Sequence, residues 1–255
     1  MRRDIDEALN GWSFDPSPGE VQAREVRARD GRTLLQVRVE LGLLQLEVEG
    51  RPDGQRPHGF ATYLDYLRYR AAERAEAPRA KAGPWSMSPE QCAEADREFV
   101  QYYHRRVAWL SLQRFERALM DADQTLALMD FVCRHGPSAE YIDSHERYRG
   151  FVLFHRAQAA AALALERRRP EEAVDAVRDG IDRLETHRRR LDEEPEPDEE
   201  PDSTLIEQLR QIEGEIRKSF TVGKTLREQL DEAVEREDYE RAARLRDQLR
   251  SRSRR

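Results

Sequence analysis

Between Pro18 and about Arg56 apolar residues recur at every second position, and beyond Phe60 they recur at every third or fourth, so the chain changes period once, early. In the first stretch Val21, Ala23 and Val26 lead into Arg29-Asp30-Gly31-Arg32, a hairpin-turn signal; Leu35, Val37, Val39 and Leu41 then alternate with polar residues, and Leu44, Leu46 and Val48 do the same. This pattern predicts a small antiparallel sheet, with Gly42 at a bulge or turn and Arg51-Pro52-Asp53-Gly54 ending the last strand. From Phe60 to Ala75 the spacing of Tyr63, Leu64, Leu67 and Ala71 predicts a helix, followed by a loop from Glu76 to Pro84. Ser88-Pro89-Glu90-Gln91 is a helix start, with Ser88 as N-cap, Pro89 at the first helical position and Gln91 completing a capping box. Phe99, Tyr103, Val107 and Leu110 form one apolar stripe. After Gln113-Arg114, Phe115, Ala118, Leu119, Ala122, Leu126, Met129 and Cys133 form a second, stopped by Gly136-Pro137. Tyr148 to Arg167 predicts a third helix, and Pro170 opens a fourth carrying Ala173, Val174, Val177, Ile181 and Leu184.

These elements predict a mainly α chain of the α+β class. Residues 1–84 form a small antiparallel sheet plus a helix, and residues 85–191 two helix pairs. Those pairs resemble tetratricopeptide repeats: Trp109, Leu112, Phe115 and Ala118 stand near the aromatic and alanine positions of that pattern, and Ala161, Ala164, Pro170 and Ala173 do so less well. Ala118 and Ala173 are 55 residues apart, against a tetratricopeptide period of about 34. A tandem array therefore needs an insertion at Gly136 to Ser144, and a four-helix bundle is the alternative. Asp192 to Asp202 holds eight acidic residues, three prolines and no basic one, a composition that buries no apolar area and predicts an extended linker. Residues 203–255 follow as a separate module, opening with a helix marked by Leu205, Leu209, Ile212 and Ile216.

The end of that module, KTLREQLDEAVEREDYERAARLRDQLR from Lys224 to Arg250, is the most informative stretch. Leu226, Leu230, Ala233 and Val234 recur at helical spacing, as do Tyr239, Ala242, Ala243, Arg246 and Leu249, so two short amphipathic helices meet around the link Glu235 to Asp238. Asp238 suits the N-cap of the second helix, Tyr239 supplies a ring to cover the turn, and the three alanines allow close backbone approach. Isolated helices below about 12–15 residues gain little in water, so the apolar faces call for a partner. The segment resembles the UVR motif, the helical hairpin found in subunits B and C of the Uvr excision-repair nuclease and in several bacterial stress proteins. The likeness rests on Leu230, Ala233, Asp238 to Glu240, Ala242, Ala243 and Leu245-Arg246-Asp247. It implies protein–protein association, with another UVR-bearing protein or a second copy. Leu230, Ala233, Val234, Tyr239, Ala242, Ala243, Arg246, Asp247 and Leu249 would form the interaction residues. The helicase, nuclease, ATPase and zinc-ribbon signatures of UVR-bearing families have no counterpart here, so the resemblance implies a docking module and no catalytic activity.

Composition narrows the remaining choices. With 38% hydrophobic and 37% charged residues, a mean hydropathy of −0.91, a net charge of −7 and a pI near 5.6, the chain is hydrophilic and acidic. It is unsuited to binding nucleic acid or anionic membranes over its whole surface. Local basic clusters are Arg188-Arg189-Arg190 and the tail carrying Arg252, Arg254 and Arg255, where an alternative role as a repair factor touching nucleic acid would reside. Cys92 and Cys133 belong to no metal or redox pair, and the N-terminus lacks an apolar leader, so a reduced cytoplasm is the expected setting. The histidines show no metal-ligand spacing. Gly223-Lys224-Thr225 lacks the glycine a phosphate-binding loop requires at the position of Lys218 and reads as a helix junction. No cofactor is implied. An enzyme is the third reading, its site placed between sheet and helices around Tyr102, Tyr103, His104 and Arg105.

Overall fold

A computed structural model of the protein describes residues 5–15, 21–76, 85–190 and 202–252, and the chain divides into two compact units, Met1–Arg156 and Ala157–Arg255. The expected loop from Glu76 to Pro84 and the acidic stretch lie almost wholly outside the described residues, as do Arg254 and Arg255.

The first unit opens with α1 (Asp6–Leu9) and an antiparallel sheet, β1 (Ala23–Arg27), β2 (Thr33–Val39) and β3 (Gly42–Glu47), in the order β1-β2-β3. Glu25 stands opposite Leu35, and Leu35 opposite Leu46, so these residues share one face of the sheet. That face meets α3 (Pro89–Ser111): Leu35 and Leu46 are buried, and Arg114, just beyond the helix, pairs with Glu25 at 2.6 Å. Arg24, Gln36 and Gln45 share the other face, where the Arg24 guanidinium lies 4.0 Å from the centre of the Trp12 ring and Nη2 donates to Ala8 O. β2 is therefore covered on both sides. Leu41, expected to continue the inward alternation, instead sits in the β2–β3 turn and is 90% exposed, because the two strands close around Glu40 and Leu41.

A short 3-10 turn (Pro57–Gly59) leads to α2 (Tyr63–Glu76), whose Tyr63, Leu64 and Leu67 pack with Cys92 and Ala95 of α3 and with Leu128, Phe131 and Val132 of α4 (Phe115–His135). The Ser88–Gln91 capping box forms as read. The α3 stripe forms only in part, with Phe99, Val107 and Leu110 half-buried and Phe99 packed on this core. Tyr103 is 39% and Val100 50% exposed, whereas Glu98, Tyr102, Arg105, Arg106 and Trp109 are buried. The reason is electrostatic. The Glu98 carboxylate accepts the Tyr63 and Leu64 N–H groups at 2.6 and 3.1 Å, filling the N-terminus of α2. Arg105 makes a two-pronged pair with Asp121 at 2.9 and 2.7 Å and donates to the Glu47 and Gly50 carbonyls. Arg106 donates to Thr125 Oγ1 and, through Nε, to His155 Nδ1. Burial and the neighbouring Arg106 charge push the His155 imidazole down to about 3. A helix α5 (Ala139–Glu146), capped by Ser138, occupies the stretch read as an inserted loop.

In the second unit, α7 (Pro170–Arg188) packs along α8 (Asp202–Phe220), with α9 (Leu226–Glu235) and α10 (Tyr239–Arg252) after them; α6 (Arg149–Glu166) runs across the boundary between units. Gly180 sets the spacing, since a Cβ placed there would stand 2.4 Å from the Ala157 Cβ and 3.2 Å from Leu209 Cδ1.

Three helix pairs turn in the same way, the second helix of each beginning two residues after a left-handed one. Gln113 after α3, Arg168 after α6 and Glu237 after α9 have φ of 55°, 56° and 57°. The next residue in each case, Arg114, Arg169 and Asp238, donates its N–H to Trp109 O, Ala164 O and Ala233 O at 2.8, 2.9 and 2.8 Å. This is the Schellman closure, made without glycine. Counted from the left-handed residue, Trp109, Ala164 and Ala233 are equivalent, as are Ala118, Ala173 and Ala242, and all six are buried.

Candidate interaction hairpin

Thr225 opens α9. Its Oγ1 accepts the Glu228 N–H at 3.3 Å, while the Glu228 carboxylate accepts the Thr225 N–H at 2.7 Å, a reciprocal capping box. The same hydroxyl donates to Asp175 Oδ1 on α7 at 2.6 Å, and Thr225 is completely buried. Glu228 also receives Arg217 of α8 at 2.8 Å and Arg178 of α7. Burial alone would raise the Glu228 carboxyl, but the Thr225 N–H and the two guanidinium groups outweigh it and hold the group below its ordinary value. Arg217 reaches on to Gly223 O at 2.6 Å. The first turn of α9 is thus fixed to both α7 and α8. The Thr225-x-x-Glu228 spacing was open to sequence reasoning; Asp175 and Arg178 were not, because they lie 50 residues away from their partners.

Ala233, Ala242 and Leu245 close the hairpin, with Leu226 and Leu230 packed against them. Asp238 Oδ1 accepts the Arg241 N–H at 3.1 Å, capping α10 as expected. Tyr239 does not cover the turn: it is 68% exposed, and Val234 on the other side of the turn is 51% exposed. The inner face of α10 runs through Ala242, Leu245 and Leu249, so the apolar stripe lies part of a turn away from the one that included Arg246. Ala233 and Ala242 therefore hold the hairpin together. Ala243 and Leu249 are half-buried; Arg246 and Asp247 are exposed, 3.8 Å apart. Residues 224–251 match the model for the UvrB/uvrC motif. This hairpin is a UVR motif. No curated protein and no solved structure matches the chain. UVR motifs serve in protein–protein interaction and in DNA-repair contacts, and the match suggests a role of that kind. Arg252 is the last residue of α10.

Of the other expected cluster, Tyr102 and Arg105 meet, with the guanidinium 4.8 Å from the centre of the Tyr102 ring and both groups donating to Gly50 O, but they are spent on the backbone and on Asp121. Tyr102 is buried, and Tyr103 faces outward on the same helix. No helix among the described residues is long and apolar enough to cross a membrane.

Proposed function

We propose that the protein is a non-catalytic accessory factor of the cytoplasm. Its helical body, a tetratricopeptide-like scaffold, holds one partner, and its UVR hairpin recruits another protein. The observation that carries this reading is the division of labour within the hairpin: Ala233, Ala242 and Leu245 satisfy the fold, which leaves Val234 and Tyr239 at the tip with half or more of their surface in water. Aromatic residues bared in this way are characteristic anchors of protein interfaces. The test is crosslinking and co-purification from the native host, comparing the full chain with one ending at Val222, which keeps α8 on α7. Loss of proteins captured by the full chain is the expected result, and an unchanged set of partners overturns the reading.

A further inference from the structure

The shared turn allows the three hairpins to be compared position by position. On α4 the residues equivalent to Tyr239, Ala243, Arg246 and Arg250 are Phe115, Leu119, Ala122 and Leu126; on α7 they are Pro170, Val174, Val177 and Ile181. Spaced i, i+4, i+7 and i+11, each set lines one face of its helix. On α4 and α7 this face is covered: Ala122 and Val177 are 0% exposed, Leu126 9% and Ile181 8%, and Phe115 and Pro170 are half-buried. On α10 the same face is open. Tyr239 is 68% exposed, and Arg246 and Arg250 stand where the other two hairpins carry buried aliphatic residues. Arg250 has no ion-pair partner among the described residues, and Arg246 has only its exposed neighbour Asp247 at 3.8 Å.

We infer that this face of α10 is the docking surface, and that its occupant is an acidic amphipathic helix of a partner protein. The inference rests on the proposed recruiting role of the hairpin and adds the chemistry of the partner. The face has room for a helix because Ala243 is small, and Tyr239 offers a rigid aromatic anchor at its start. A helix that simply continued the packing seen on α4 and α7 would set aliphatic groups against Arg246 and Arg250 and bury both charges unpaired, which is strongly unfavourable. Carboxylates one helical turn apart on the incoming helix meet both guanidinium groups and leave its small apolar residues against Ala243 and Tyr239. Glu240 and Asp247 border the face on its far side from the hairpin core and repel a helix displaced in that direction, which fixes the register.

The test uses the full chain and three labelled probes: a stapled 20-residue helix with a leucine and alanine stripe flanked by glutamate, the same helix with lysine for glutamate, and a 20-nucleotide oligothymidine. Fluorescence anisotropy is expected to give at least tenfold tighter binding of the glutamate helix than of the lysine helix. The R246E/R250E variant should invert that preference, and Y239A should weaken the glutamate helix about tenfold with no change in far-ultraviolet circular dichroism. Equal binding of the two helices overturns the inference, as does binding of the oligonucleotide alone. A dimer of the full chain that R246E/R250E dissociates also overturns it, since the face would then be covered by a second copy. If truncation at Val222 abolishes capture of native partners while R246E/R250E leaves it intact, the recruiting role stands and this surface is wrong; if truncation changes nothing, the recruiting role itself fails.

Discussion

Replacing Thr225 by valine keeps the shape of the side chain and removes a hydroxyl that both caps α9 and meets Asp175. Losing a cap of this kind costs about 1 kcal/mol, and leaving a partly buried acceptor unmatched brings the total to roughly 1–3 kcal/mol. Thr225→Ser keeps the hydroxyl and is expected to stay within about 0.5 kcal/mol of the parent. Denaturant titrations followed by circular dichroism check both values, and an unchanged midpoint for the valine variant would show that the Asp175 contact contributes nothing. The fully buried position of Thr225 makes this residue more decisive for the hairpin than the surface pairs beside it, such as Lys224 with Glu232, which water screens.

At the scale of elements, close approach and turn geometry set the terms. Gly180→Ala places a methyl group on Ala157 and is expected to destabilise the α6–α7–α8 packing by roughly 1–3 kcal/mol despite the better helix propensity of alanine. A thermal midpoint equal to that of the parent would mean that the helices part easily at that point. Glu237→Gly acts in the opposite direction: the left-handed backbone of the UVR turn strains a residue with a Cβ by about 1 kcal/mol, so glycine should raise the midpoint. Helix existence and order were legible in the sequence because stripes at Phe115 to Cys133 and Ala173 to Leu184 are long and regular and the Ser88 and Asp238 caps use ordinary capping residues. The orientation of α3 was not. Glu98, Arg105 and Arg106 look like solvent-facing charges until their partners Tyr63, Asp121 and His155, far away in sequence, are known. α5 escaped because Ser138 follows a glycine and a proline, which read as the heart of a loop. In the UVR hairpin Ala242 was legible as a small residue, but two adjacent alanines left the inner face undecided between the Leu245 and Arg246 sides, and packing chose leucine.

For the molecule as a whole, acid bears on the first unit through a buried histidine. His155 belongs to the first unit, and its folded value of about 3 lies below the ordinary 6.5. The unfolded chain therefore binds the proton first, so the stability that neutral His155 supplies is complete above pH 6.5 and falls progressively toward about pH 3. At pH 5 the loss is about 2 kcal/mol. Glu98 and Asp121, whose carboxyls burial raises, push in the opposite sense, so the difference between parent and variant is the quantity to read. His155→Gln, which retains an acceptor for Arg106, should lose less stability than the parent between pH 7 and pH 5. Trp12, Trp85 and Trp109, the three tryptophans of the chain, lie in the first unit, so their emission follows that unit alone. A parallel acid response in parent and variant would remove His155 from the account.

Residues 157–255 contain one tyrosine and no tryptophan, and that tyrosine is Tyr239, the exposed ring at the head of the open face of α10. Every phenol resonance arising from the second unit is consequently its own label for occupancy. Ring protons of Tyr239 shift when a neighbour settles on that face, so the one resonance that Tyr239→Phe removes from the second unit reports occupancy with no attached dye.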